Sequence, residues 1–282
     1  MTDTTSGQGK RSVRIGNCSG FYGDRNDALA QMVSGGPVDV VTGDYLAEVT
    51  MYVLAKSRSR SPDEGYARSF LSQLEPVLSQ VASRGIRIVV NAGGLNPAGM
   101  AAATRALCEK AGIRLQVAHI EGDDLLGRLA ELQRHGITLN HMDTGEPLAS
   151  WDKTPNTANA YLGGWGIASA LADGADVVIC PRVADASLVV GAAAWWHGWS
   201  MDDWDQLAGA TVAGHIIECG AQASGGNFSG FVGLQDLYKP GFPIAEIDGD
   251  GTSRITKHPG TSGAVTVDTV TAQLLYEIQG PE

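Results

Sequence analysis

Five short loops carry most of the side chains in this sequence that could do chemistry. Asn17, Ser19, Tyr22, Asp24 and Arg25 follow one apolar run, and Thr42, Asp44, Tyr45 and Glu48 follow a second. Asn91 and Asn96 follow a third, His119, Glu121 and Asp123 a fourth, and Arg182, Asp185 and Ser187 a fifth. In a parallel sheet ligands sit beyond the carboxyl ends of the strands, so five polar loops in that position would converge on one rim. Within them Asp44, Glu48 and Asp185 are the candidates for general acid–base work, because partial burial at a strand end raises a carboxyl pKa. Arg182 is the candidate to meet a substrate carboxylate or carbonyl oxygen. The competing reading of the last loop is a plain Arg182–Asp185 pair that shapes the chain. Asn17, Asp24, Asn91 and Asn96 are expected to bind substrate.

Two glycine-rich stretches add backbone amides to this set. In "NAGGLNPAGM" (91–100), Gly93, Gly94 and Gly99 do not have the spacing of a dinucleotide fingerprint. Gly94 and Gly99 do have the glycine spacing of an NTPase phosphate loop, but Met100 and Ala101 stand where lysine and a hydroxyl are required. Without that lysine and hydroxyl, nothing meets the outer phosphates or magnesium, so nucleotide chemistry is excluded here. What remains is a helix start, with Asn96 as N-cap and Pro97 in the first turn. Gly93, Gly94 and the helix amides could take a carboxylate, a thioester oxygen or a phosphate. In "CGAQASGGNFSGF" (219–231), Ser224, Gly225, Gly226 and Asn227 offer an anion nest; a plain glycine-rich turn is the alternative.

Other constellations are weaker. No G-x-S-x-G nucleophile elbow occurs. Cys219 lies near His215 and Glu218, which permits a thiolate role, although isolated cysteines more often serve as small buried hydrophobes. His141 and Asp143 form a two-ligand pair with no third ligand in view, so no metal is expected. His135 falls in a last helical turn, and His197 beside Trp195, Trp196 and Trp199 reads as a packed ring.

The elements that must position these loops alternate regularly. Strands are expected at 13–18, 38–44, 86–91, 113–120 and 175–180, with a further one conceivable over "GITLNHMD" (136–143). Helices are expected over 25–36, 46–58, 65–85 with a break at Pro76, 97–111, 123–136, 158–174 and 186–198. Alternation with continuously apolar strands predicts an α/β fold: a doubly wound, mostly parallel sheet with helices on both faces, or else a β/α barrel. Residues 1–12 read as a disordered tail and 13–208 as the α/β domain. Residues 209–282 read as a smaller glycine-rich, β-containing region that looks unfinished, as in a fragment or a chain completed by a partner.

The 282 residues carry a formal net charge of −11. Such a surface repels nucleic acid and anionic membranes, and no apolar run approaches a membrane span. Four dispersed cysteines, without a C-x-x-C, suit a reducing cytoplasm.

Taken together, "RIGNCSGFYGDRNDA", "DVVTGDYLAEVTM", "VVNAGGLNPAG", "LGGWGIASALADGADVVICPRVADASL", "AAWWHGW" and "CGAQASGGNFSGF" resemble the acyclic terpene utilisation (AtuA-like) family. Its members are generally longer, so the resemblance implies the amino-terminal portion of such a protein. It also implies a place in bacterial breakdown of citronellol- and geraniol-type terpenes, which proceeds through branched acyl-CoAs. It supplies no agreed catalytic residues. The function expected from it is a lyase or hydratase-type step on an acyl-CoA or terpenoid acid. No cofactor is evident, and a CoA thioester is a substrate moiety. The alternative is a non-catalytic acyl-CoA-binding or scaffold protein of the same pathway. The expected partners are a homo-oligomer or other acyl-CoA enzymes.

Overall fold

The computed structural model describes residues 10–234 and 237–278. Its elements follow in chain order: β1 (Val13–Asn17), α1 (Ala28–Ser34), β2 (Val40–Gly43), α2 (Glu48–Arg60), α3 (Ser69–Leu74), α4 (Leu78–Arg84), β3 (Arg87–Gly94), α5 (Pro97–Lys110), β4 (Val117–His119), α6 (Leu129–Arg134), α7 (Trp165–Ala172), β5 (Val177–Pro181), α8 (Ser187–His197), α9 (Trp204–Ile217), β6 (Pro243–Ile247), β7 (Ser253–Lys257) and α10 (Val267–Glu277).

The strands form one seven-stranded sheet, not closed, in the order β4-β5-β3-β2-β1-β6-β7. The first five positions are parallel, and β6 and β7 continue the sheet antiparallel from β1. The α/β expectation therefore holds. Alternation along each strand feeds two cores. Ile88, Val90, Val177 and Ile179 pack on the side of α1, α3, α4 and α5, while Val89, Val178 and Cys180 pack on the side of α7, α8 and α9. Each fully buried Val or Ile contributes about 1.5–3 kcal/mol, and strands buried on both faces need such runs.

Topology fixes where a ligand can enter. From β1 through β3 the chain steps across the sheet in one direction, and right-handed crossovers put the intervening helices on one face. It then overshoots to β4 and returns to β5, so the next helices cover the other face. The exits of adjacent β3 and β5 diverge to opposite faces, the arrangement at which open α/β sheets commonly take ligands at the strands' carboxyl ends.

Several local expectations are corrected. The 113–120 strand contracts to Val117–His119, and the 123–136 helix to a short turn plus Leu129–Arg134 with no buried residue. Residues 136–143 form no strand; they run through turns and mostly exposed coil, with Leu139 at φ 50°. The 158–174 helix starts only at Trp165, because Asn159 and Leu162 are used in bridges to Asp124 and Val183. Pro76 does break its helix, through a 3-10 turn at Glu75–Val77.

The β-prone stretch "ATVAGHII" is helical. Small residues let α9 lie flush on the α8 start, where a Cβ on Gly214 would stand 2.7 Å from the Ala186 Cβ. Residue 208 falls inside this helix. Residues 1–9 of the expected tail lie outside the described residues, while Arg11 is paired with Asp39.

Candidate functional site

A cleft of about 560 Å³ opens at the carboxyl ends of β1, β2 and β5. Small-molecule sites commonly have about 300–1,000 Å³. Its walls include Gly20, Phe21, Asp24 and Arg25 after β1, and Asp44, Leu46 and Glu48 after β2. Arg182 and Asp185 come from the loop after β5, Glu218, Cys219 and Gly226 from the turn after α9, and Tyr276 and Glu277 from α10.

Arg182 sits at the centre, 4% exposed. Its Nη1 donates to the Leu46 carbonyl at 2.8 Å, its Nη2 lies 3.2 Å from Asp185 and 3.7 Å from Glu48, and its guanidinium stacks on the Tyr161 ring at 4.3 Å. The Asp185 approach lacks hydrogen-bond alignment, so Asp185 Oδ1 and Arg182 Nε have no hydrogen bond among the described residues. The Tyr161 hydroxyl donates to Glu48, which holds that carboxyl below its usual range. The Arg182–Asp185 pair of the competing reading is present, and both residues line the cleft.

Asp44 is 6% exposed. Its Oδ1 accepts from Asn91 Nδ2 at 2.7 Å and from the Leu46 amide at 3.0 Å, so Oδ2 is the oxygen left for the cleft. Burial pushes its pKa to about 6 against these stabilising hydrogen bonds. Burial also raises Asp185, opposed by Arg182.

Glu218 is the residue that loop position did not single out. It is 5% exposed, and neither carboxylate oxygen has a hydrogen-bond partner among the described residues. Burial, then the negative charges of Asp185, Asp44 and Glu277, push its pKa to about 11. One ligand atom each from Asp44, Asp185 and Glu218 lies within 4.8 Å of the others. The signal in the sequence is a single charge in the apolar run "HIIEC", beside Cys219.

The other candidates divide into walls and braces. Asp24 lines the cleft with its carboxylate fixed by the Gly20 and Arg25 amides, and Gly226 lines it too. Asn17 is buried behind the wall, its Nδ2 donating to the Ser19 and Glu218 carbonyls and so tying β1 to the Glu218 turn. Asn91 is likewise fully buried. Asn96 caps α5 by accepting from the Gly99 amide at 2.9 Å and donates to the Asp63 and Glu64 carbonyls.

Gly93 is a close-approach position, where a Cβ would stand 2.6 Å from the Cys180 carbonyl; Gly94 has φ +52° and packs on Leu54. Ser224 is buried, Gly225 has φ +109°, and Asn227 donates to Gln273. None of these lines the cleft.

The remaining motifs resolve simply. Cys219 donates its thiol to Glu277 at 2.9 Å, and burial with that carboxylate pushes its pKa far up, which keeps it from being a thiolate nucleophile. His141 Nδ1 accepts from the Asp143 and Thr144 amides in an exposed turn. His197 stacks on Trp199 and bonds the Ile247 carbonyl. Asp123 braces the loop after β4 by accepting from Asn159 and from the Arg182 amide.

Among comparisons with known proteins, residues 13–282 match the model of one family, described as acyclic terpene utilisation family protein AtuA. No curated protein and no solved structure matches the chain.

Proposed function

The chain belongs to the acyclic terpene utilisation family AtuA, and on that premise we propose that its cleft carries out a lyase or hydratase-type step on a branched acyl-CoA or its free acid during terpene breakdown. The observation that carries this reading is the buried guanidinium of Arg182, 3.2 Å from Asp185 and lining the same cleft as Asp44 at the carboxyl ends of the parallel strands. A guanidinium in a low-dielectric pocket is a strong partner for a carboxylate or a thioester oxygen. The Asp44 and Asp185 carboxyl groups in the same cleft can take a proton from carbon or give one back. Addition or removal of water, or cleavage beside a carbonyl, needs those two functions together.

The apolar rim suits the hydrocarbon part of such a substrate: Phe21 and Tyr276 line the cleft. Free cysteines throughout the chain fit a cytoplasmic setting. Asp44→Asn and Arg182→Ala, each with a cooperative melting transition, should abolish growth on citronellol as sole carbon source. Incubating the purified protein with branched acyl-CoAs should give a product of altered mass. Normal growth of both variants would overturn the site assignment. Retained ligand without product would favour a binding protein over an enzyme.

A further inference from the structure

The cleft concentrates more negative charge than its two guanidinium groups balance. Asp24, Asp44, Glu48, Asp185, Glu218 and Glu277 line it against Arg25 and Arg182, and of the two cations Arg182 is the one paired with Asp185. In a buried setting such charge is compensated by protons or by a bound cation. Glu218 makes the choice specific. Its side chain is more than nine-tenths buried at the cleft wall, yet both oxygens lack a hydrogen-bond partner among the described residues. A buried carboxylate left this way costs several kcal/mol unless something fills its lone pairs. The backbone around it is well used: Asn17 Nδ2 holds the Glu218 carbonyl at 2.8 Å, so the turn that aims this side chain is fixed.

We propose that Asp44, Asp185 and Glu218 bind one hard divalent cation of the Mg²⁺, Mn²⁺ or Ca²⁺ kind. The three ligand atoms already lie within 4.8 Å of one another. Around an ion with metal–oxygen distances of about 2.1–2.5 Å, ligand oxygens stand about 3–5 Å apart, so little movement is needed. Carboxylate oxygens with room for water suit hard cations of the Mg²⁺, Mn²⁺ or Ca²⁺ kind. The three residues come from the ends of β2 and α9 and from the loop after β5, and the fold holds each end separately. Asn91 and the Leu46 amide hold Asp44 by Oδ1, which leaves Oδ2 for the ion. Glu277, hydrogen-bonded to Cys219 and Gln273, adds negative charge behind the site.

This inference rests on the proposed function only for the place of the cleft. Ion loading would turn carboxyl groups from proton carriers into ligands, and it would set a second positive charge beside Arg182 for a substrate oxygen. The two readings therefore separate by measurement.

The test is titration of metal-stripped, full-length protein with MnCl₂ in the absence of substrate. It is followed by calorimetry and by loss of the free Mn²⁺ electron-resonance signal, with Mg²⁺ and Ca²⁺ as competitors. One ion per chain is expected, with a rise in melting temperature. Glu218→Gln and Asp185→Asn should each weaken binding at least tenfold and remove the thermal shift. Asp143→Asn, in the exposed turn, should leave both unchanged. Asp185 is only partly buried, so its variant guards against a Glu218→Gln protein that does not fold. Absence of binding at millimolar Mn²⁺, or equal binding by wild type and Asp185→Asn, overturns the site. Product formation by protein that binds no Mn²⁺ would overturn the ion site and leave the proposed function standing, whereas bound ion without turnover on any acyl-CoA would do the reverse.

Discussion

Asn91 grips the residue pair 44–45 from below with both ends of its amide. Its Nδ2 donates to Asp44 Oδ1 at 2.7 Å, and its Oδ1 accepts the Tyr45 backbone N–H at 2.7 Å. All three residues are buried. Asn91, within β3, thus fixes the carboxyl group that follows β2, so the amide expected to bind substrate is a clamp on Asp44.

Asn91→Ala should accordingly act on both stability and site. It leaves the Tyr45 N–H and one lobe of Asp44 unsatisfied, each costing about 1–3 kcal/mol. Urea unfolding should show a drop of about 2–5 kcal/mol. Activity should fall even at temperatures where the variant is folded. An unchanged midpoint would mean that water replaces both bonds.

Removing Arg182 should be severe. Arg182→Ala leaves the Leu46 carbonyl without its donor and the nearby carboxyl groups without their cation. Breaking a buried pair from one side costs about 3–5 kcal/mol, and proton uptake by Asp44 and Asp185 would recover part of it. Arg182→Lys keeps the charge but not the fork, so it should restore stability more than substrate affinity. Equal recovery of both would argue that Arg182 is a structural cation only.

Tyr161 offers a milder test. Tyr161→Phe keeps the ring under the guanidinium but loses the hydrogen bond to Glu48. Glu48 is largely exposed, so stability should move by less than about 0.5 kcal/mol. Tyr161→Ala also loses the stack, worth about 0.5–1 kcal/mol at a partly exposed site. If the stack orients Arg182 for substrate, KM should rise more for Ala than for Phe, in steady-state assays on whichever acyl-CoA proves active.

His258 sets a pH dependence away from the cleft. It is buried against Gly35 and Gly36, with Nε2 bonded to the Met32 carbonyl. Burial, with the charges of Arg14 and Arg84, lowers its pKa below the usual value near 6.5. The folded state then binds fewer protons than the unfolded one. The contribution is fully present above about pH 6.5 and is lost as pH falls toward and through the depressed folded value. Melting temperature should decline between about pH 7 and 5, and His258→Gln should flatten that decline at some cost in stability at pH 8.

Much of this was legible before the fold. Continuous apolar runs such as Ile88–Val90 and Val177–Ile179 are what doubly covered parallel strands require, and position after a strand located Asp24, Asp44, Arg182 and Asp185. Distance in sequence hid the rest. Glu218 and Glu277 reach the cleft from the ends of α9 and α10, and Tyr161 reaches Arg182 from far along the connection after β4, none of them in the few residues that directly follow a strand. The amides of Asn17 and Asn91 stand where ligand-binding groups stand, and only their hydrogen bonds show them to be braces. The "ATVAGHII" segment falls in the region read as β-containing, and it is helical, with Ala210, Ala213 and Gly214 buried.

That same helix supplies a contest between two effects of known sign. Gly209 lies inside α9, where alanine is intrinsically better than glycine by about 1 kcal/mol. Yet a Cβ at Gly209 would stand 2.1 Å from the carbonyl oxygen of Gly251, in the turn between β6 and β7. That neighbour is backbone, and Gly251 itself has φ +88° with Gln206 against it, so the turn has little room to yield. Overpacking of this kind costs about 1–3 kcal/mol or more, so the clash should win. Gly209→Ala is expected to destabilise by about 1–2 kcal/mol net. Gly166, on the exposed side of α7, meets only the flexible Ile120 side chain at 3.3 Å. Gly166→Ala should therefore be neutral or stabilising by up to about 1 kcal/mol. Urea midpoints of the two variants should shift in opposite directions; a stabilised Gly209→Ala would show that α9 is not clamped to the β6–β7 turn.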